Sequence, residues 1–282
     1  MRVRRLNRVE LVLPGEDIPE AARTFNAVLG GHLLPPVEVV GQQVVSTTDY
    51  ALGIELYGPS GADSPKNAYW EHKQTRGAIG PLVFEVDDLD VAKRHATDNG
   101  FHVKFEFGEP GARQVHLDPT ELFGYVVTFT ERKGDDQPGE PPTNVVRFQR
   151  VELLLPGEDL EGARQVFNRL FASEIPPLEH LEGVEVLTTI DLALGIELFG
   201  PASTTSPAHR QLERKGRRGA IGPLVWEVDD LDATKEGVQR KGYRIQYEYG
   251  DPGFRQIHLD PEQLFGYGIT FTERRLLADA PV

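Results

Sequence analysis

Cysteine is absent from all 282 residues. That excludes disulfides, thiolate metal sites and cysteine nucleophiles, and it suits a reducing cytoplasm, the expected location. No run of about 18 apolar residues occurs, so no membrane-spanning helix is expected. The basic start, MRVRRLNRVELVL, has too short an apolar stretch for a signal peptide and leads straight into patterned structure. A phosphate loop, a dinucleotide fingerprint, a nucleophile elbow, an HExxH helix and an EF-hand loop are all missing, so ATP, NAD and serine-hydrolase chemistry have no footing. Positive charge is scarce: 30 Lys and Arg face 44 Asp and Glu, for a formal net charge of -14. Such a surface repels nucleic acid and anionic lipid, leaving a small-molecule ligand or another protein, including a second copy of the chain in a homodimer, as the expected partner. With 39% hydrophobic residues the chain has ample material for a core.

What is present is a long internal repeat. RVELVLPGEDIPEAARTFN at Arg8–Asn26 returns as RVELLLPGEDLEGARQVFN at Arg150–Asn168, and GAIGPLVFEVDDLD at Gly77–Asp90 returns as GAIGPLVWEVDDLD at Gly219–Asp232. RQVHLDP at Arg113–Pro119 returns as RQIHLDP at Arg255–Pro261, and the offset is 142 at each of these blocks (150 − 8, 219 − 77, 255 − 113), slipping by one residue only around Pro35–Tyr50. Between the halves KGDDQPGEPPTN is polar, rich in Pro and Gly, and without apolar period, which marks a linker. The expected organisation is residues 1–132 and 145–275 as two equivalent domains, 133–144 as linker and 276–282 as a tail.

Each half has an inner rhythm too. RVELVL alternates as a strand; Ile18, Ala21, Ala22, Phe25 and Leu29 form a helical stripe with Asp17 as N-cap and Gly30 as stop. QQVVSTTD and ALGIELYG read as strands, and PLVFEV restarts the pattern with a strand, a helix entered at Asp87 and Asp88, and three more strands. Each half is thus two βαβββ modules, four in all, an α+β chain with curved, mostly antiparallel sheets.

The order of these elements, with IEL closing the fourth strand, EVDDLD opening the second helix and DP…GY in the last hairpin, resembles the vicinal oxygen chelate superfamily. That group spans glyoxalase I, methylmalonyl-CoA epimerase, extradiol dioxygenases and bleomycin-binding proteins. The resemblance implies tandem cup-shaped sheets and, commonly, a divalent metal (Fe, Mn, Zn or Ni) held inside by four strands. Carried over position by position, it puts a metal ligand at Glu55 and Glu197. The three other usual ligand positions are occupied by Arg8, Pro81 and Thr128 in the first half and by Arg150, Pro223 and Thr270 in the second. Proline has no side-chain donor and arginine is a permanent cation, so the usual cage is expected to be missing.

Strand parity supplies another set. If Val9, Leu11 and Leu13 pack on the helix, Arg8 and Glu10 turn into the cup, with Arg150 and Glu152 in the second half. Glu55 and Glu197 turn the same way. His116 and His258 are the only histidines of eight that recur at the repeat offset. Turned inward, each would complete a Glu, Glu, His set suited to metal binding or proton transfer. The resemblance instead favours Val115 and Ile257 as inward positions, which aims Arg113 and Arg255 into the cup as anion clamps and turns the histidines out. Phe105, Phe107, Tyr247 and Tyr249 line either an aromatic pocket or a sheet face. The expected function is an enzyme of the lyase, isomerase or ring-cleaving type acting on an oxygen-rich small molecule. The competing expectation is a metal-independent binder of an aromatic or antibiotic-like ligand.

Overall fold

The computed structural model describes residues 1–64, 67, 77–108, 112–132, 144–216, 218–251 and 254–273. Residues 133–143 of the expected linker at 133–144, and the expected tail at 276–282, lie outside the described residues. The first half runs β1 (Val3–Val12), α1 (Ile18–Leu29), β2 (Val37–Val39), β3 (Val44–Asp49), β4 (Ile54–Pro59), β5 (Ile79–Val86), α2 (Leu89–Asp98), β6 (Val103–Phe107), β7 (Ala112–Leu117) and β8 (Val127–Arg132). The second half repeats this as β9 (Val145–Leu154), α3 (Leu160–Phe171), β10 (Glu179–Leu181), β11 (Val186–Asp191), β12 (Ile196–Pro201), α4 (Pro207–Lys215), β13 (Ala220–Val228), α5 (Leu231–Arg240), β14 (Ile245–Asp251), β15 (Phe254–Leu259) and β16 (Ile269–Glu273).

The two modules of each half share one curled, mixed sheet of eight strands. Its order is β2-β3-β4-β1-β5-β8-β7-β6 in the first half and β10-β11-β12-β9-β13-β16-β15-β14 in the second. β1 and β5 join the modules antiparallel, while β1–β4 and β5–β8 are parallel. The long β1 is not regular. Leu6 pairs with Phe84 and Arg8 with Val83, so Asn7 is an extra, bulged residue. Gln149 is its counterpart in β9. A bulge resets side-chain alternation, and this one decides the composition of the candidate site.

The helices cover one face of each sheet and cross between halves. Phe171 of α3 packs tilted against Phe84 of β5 at 4.6 Å, and Phe25 of α1 meets Tyr267 at 6.1 Å. A single apolar cluster therefore runs through both halves. Two of its polar fasteners, Tyr125 and Tyr267, are repeat-equivalent. The buried Tyr125 hydroxyl reaches the Leu154 and Ala220 carbonyls at 2.9 and 2.7 Å. Tyr267 reaches those of Val12 and Ala78 at 2.8 and 2.7 Å. The Trp226 indole donates to the Leu52 carbonyl at 3.0 Å. Gly77 (φ 79°) must be glycine, because a Cβ there would lie 2.3 Å from the Gly266 carbonyl oxygen across the junction.

Caps differ in detail from the sequence expectation. Asp88 and Asp230 do cap α2 and α5, accepting from Val91 and Ala233 amides. Asp17 makes no side-chain cap, because a 3-10 turn at Gly15–Asp17 already supplies the entry to α1. Asp87 pairs with Arg4 instead of capping. Helix α4 was not anticipated. Ser206 caps it, and Ala208 and Leu212 pack with Leu154, Phe199 and Ala220. Among the described residues no helix is long and apolar enough to cross a membrane.

Candidate binding site

On the helix-free face of the first sheet, cross-strand register lines up two rows. Arg8, Val83, Thr128, His116 and Phe105 are successive partners across β1, β5, β8, β7 and β6. Arg5, Glu85, Thr130, Gln114 and Phe107 form the next row. Glu10 and Glu55 pair on the neighbouring strands, and Ser46 lies beside them on β3. The second half presents Arg150, Val225, Thr270, His258 and Tyr247 along the corresponding line.

The floor is a guanidinium seated between two carboxylates. Arg8, only 5% exposed, donates from Nε to Glu55 Oε2 at 2.6 Å and from Nη2 to Glu10 Oε1 at 2.9 Å. Ser46 Oγ donates to the other oxygen of Glu55 at 2.6 Å. Arg150 repeats the pattern with Glu197 at 2.6 Å and Glu152 at 3.3 Å, and Thr188 takes the part of Ser46 at 2.7 Å. Burial works against the Arg8 charge, yet Glu55 and Glu10 outweigh it and hold its pKa above the ordinary value. Arg150 behaves alike through Glu197 and Glu152. On the second floor burial and Glu197 push the Glu152 pKa up to about 8 against the pull of Arg150. A proton kept on Glu152 at neutral pH removes one negative charge from this crowded floor.

The histidines share that face. Thr128 Oγ1 lies 2.8 Å from His116 Nδ1, and Thr270 Oγ1 lies 2.7 Å from His258 Nδ1. Phe105 stacks on His116 at 4.1 Å, and Tyr247 on His258 at 4.0 Å. Burial, then Arg150, lowers the His258 pKa to about 3, so its imidazole is neutral. The outer faces of the rings are open: Phe105 is 48% and Tyr247 51% exposed, and Phe107 and Tyr249 are exposed beside them.

Arg113 and Arg255, expected in the cup, lie on the opposite, helix-packed face. Val115 and Ile257 are fully buried in the core, so alternation sends residues 113 and 255 with them and residues 116 and 258 the other way. Arg113 binds Asp90 of α2 at 2.8 Å and Glu106 at 2.6 Å; Arg255 binds Asp232 of α5 at 2.6 Å. The inward turn of the histidines, not that of Val115 and Ile257, is what the structure shows.

The sequence reading missed Arg5, Glu85, Asn7 and Gln114, with Arg147, Glu227, Gln149 and Gln256. The bulge at Asn7 brings Arg5 and Arg8, three residues apart, onto one face. Glu85 accepts from Arg5 Nη2 at 2.8 Å and from Asn7 Nδ2 at 3.3 Å, and Asn7 Oδ1 accepts from Arg8 Nη1 at 3.2 Å. Glu227, Gln149 and Arg150 form the same chain, with Gln149 Nε2 3.2 Å from Glu227. The retention of all these polar types at offset 142 was the available signal. Lys215, at the end of α4, is a further addition: burial, then Arg214, lowers its pKa to about 8, and it donates to the Ile221 carbonyl at 2.9 Å.

The donor set does not fit the metal that the resemblance implies. Glu55 and Glu197 are committed to guanidinium groups that lie where a cation would have to sit. Thr128 and Thr270 face histidine nitrogens, and Pro81 stands at a bulge between the pairs Leu11–Ile79 and Val9–Leu82. Among the described residues no group of three or more His, Asp or Glu is arranged to hold a metal ion.

This architecture is the vicinal oxygen chelate fold, in tandem. A solved structure of a triple mutant of 4-hydroxymandelate synthase from Streptomyces coelicolor has TM-score 0.76 at 14% identity, covering 98% of this chain and 94% of that one. A xylose isomerase-like TIM barrel/4-hydroxyphenylpyruvate dioxygenase fusion protein has TM-score 0.67 at 13% identity over 99% of this chain and 50% of its own. The 2,2',3-trihydroxybiphenyl 1,2-dioxygenase of Sphingomonas wittichii has TM-score 0.64 at 10% identity, covering 96% and 91%. No family model matches the sequence, and no curated protein does. At such identities the likeness defines the fold, and the reaction has to be argued from the site.

Proposed function

We propose that each half binds one oxygen-bearing aromatic small molecule without a metal ion, making the protein a metal-independent recognition or sequestration protein on an enzyme-derived fold. The observation that carries this reading is the open aromatic shelf, Phe105 with Phe107 and Tyr247 with Tyr249, beside the buried Arg–Glu–Glu floor on one sheet face. Exposed rings forgo roughly 25 cal/mol for each Å² left in water. Keeping four of them at repeat-equivalent positions is consistent with a flat ligand that covers them. The arginine supplies the fixed positive charge that a metal supplies elsewhere on this fold, already neutralised by its carboxylates, so the floor favours hydrogen-bonding ligands over strongly anionic ones. A panel of phenols, catechols and aryl ketones, titrated by calorimetry in chelator, tests this: binding at two sites per chain, unchanged by chelator and lost in Phe105→Ala/Tyr247→Ala, supports it.

A second reading rests on Glu152. A carboxyl with its pKa near 8 beside a neutral His258 is suited to donate or accept a proton at neutral pH. The second half would then be an isomerase-type site. Solvent deuterium wash-in to a bound ligand, abolished by Glu152→Gln while binding persists, distinguishes it from sequestration.

A further inference from the structure

The junction of the halves contains a cleft of about 400 Å³ that none of the four shelf aromatics lines. Its walls are formed by repeat-equivalent residues: Arg5 with Arg147 (147 − 5 = 142), Leu6 with Phe148, and Asn7 with Gln149. The cleft therefore lies on the pseudo-two-fold relation between the halves. Arg4 and Tyr50 complete the polar side of the wall.

The charge of this wall is opposite to that of the chain. Three arginines line it and no lined residue is acidic, in a protein of formal net charge -14. The balancing carboxylates sit behind the arginines. Glu85 and Glu227 are buried, and each holds its arginine by Nε and Nη2: Arg5 at 3.1 and 2.8 Å, Arg147 at 3.0 and 2.9 Å. A guanidinium gripped by that edge is fixed in orientation and retains Nη1 for an outside acceptor. Both side chains are exposed enough to reach one. Fixed planar donors of this kind match the paired oxygens of phosphate and carboxylate. Phe148 and Leu6 supply an apolar surface for the rest of such a ligand.

We propose that this cleft is a separate site, one per chain, for a small organic oxyanion with an apolar body, gripped by Arg5 and Arg147 from opposite halves. The site differs from the cups in stoichiometry, one per chain against two, although Arg5 also belongs to the cross-strand row that ends at Phe107. Asn7 and Gln149, which line the cleft and also bond Arg8 and Arg150, give it a physical link to both floors.

Calorimetry on the full chain with phenyl phosphate, benzoate and inorganic phosphate tests the assignment. The expected result is saturable binding of phenyl phosphate or benzoate at one site per chain, weaker for inorganic phosphate, and weakened further by added salt. The comparison of the two aryl probes identifies which oxyanion is preferred. Arg5→Lys/Arg147→Lys keeps the charge but removes the fork, and should weaken binding about tenfold or more. Arg4→Gln, at an exposed side chain, is the variant least able to disturb folding and should weaken it about threefold. Phe148→Ala should lower affinity for the aryl probes and leave inorganic phosphate unchanged. Absence of 1:1 binding by the native chain, or equal affinity in folded Arg4→Gln and in the double lysine variant, overturns the proposal. Two sites per chain, lost on Phe105→Ala/Tyr247→Ala, would assign the ligand to the cups and likewise overturn it.

Discussion

Arg150 Nε and Glu197 Oε2 lie 2.6 Å apart on the floor of the second sheet, the same separation as Arg8 Nε and Glu55 Oε2 in the first. Both pairs are nearly sealed from water, and in each a second carboxylate completes the contact. Charges this deeply buried are tolerated only together.

Arg150→Met therefore leaves the buried Glu197 carboxylate without its counter-charge. It should destabilise the fold by about 3–5 kcal/mol, whereas Arg150→Met/Glu152→Gln/Glu197→Gln together should recover most of that loss. Urea unfolding of the two variants measures the difference. Equal loss in both would mean that shape, and not charge pairing, holds the floor.

The pH dependence follows from Glu152 and His258. Glu152 has its folded pKa raised to about 8, so between the ordinary carboxylate range and pH 8 the folded state holds a proton that the unfolded chain releases. That group costs stability progressively as pH rises through this window. Glu152→Gln removes the cost, so its melting temperature relative to the native chain should rise between pH 6 and 9. His258 is depressed to about 3, so the unfolded chain takes up the proton first as pH falls below about 6.5. His258→Gln should accordingly lose less stability than the native chain between pH 6.5 and 4. Parallel melting curves for either variant across its window would contradict the assignment.

The aromatic shelf should separate binding from stability. Phe105 and Tyr247 are half exposed on edge strands, so alanine at either should cost about 1 kcal/mol or less. Ligand affinity in the cups should meanwhile fall at least tenfold. Chemical denaturation and calorimetry on the same samples test this.

The junction should make the chain unfold as one unit. Tyr125→Phe and Tyr267→Phe each remove a buried hydroxyl whose one proton lies between two carbonyls across the halves. Each should cost about 1–3 kcal/mol while leaving a single calorimetric transition. Two separate transitions in the native chain would show that the shared core does not couple the halves.

Much of this was readable in the sequence. The repeat, the modules and the inward turn of Glu55 and Arg8 follow from period and alternation, because Val9, Leu11, Ile54 and Leu56 have only one face to bury. His116 was harder, because the LDPTELFGY hairpin leaves the register of β7 open by one residue. Only the burial of Val115 decides it. Arg5 and Glu85 are signalled only by their retention at offset 142, since a bulge at Asn7 leaves no periodic trace and cancels the parity rule that found Arg8. Helix α4 carries a local signal in Ser206 and Pro207 at its start.

The central claim is that a guanidinium occupies the cation position in both cups. Elemental analysis of the full chain after exposure to Fe, Mn, Zn and Ni salts and desalting tests it most directly. Metal should stay far below one ion per cup, with no difference between the native chain and Glu55→Gln/Glu197→Gln. One ion per cup, lost in that variant, would contradict it.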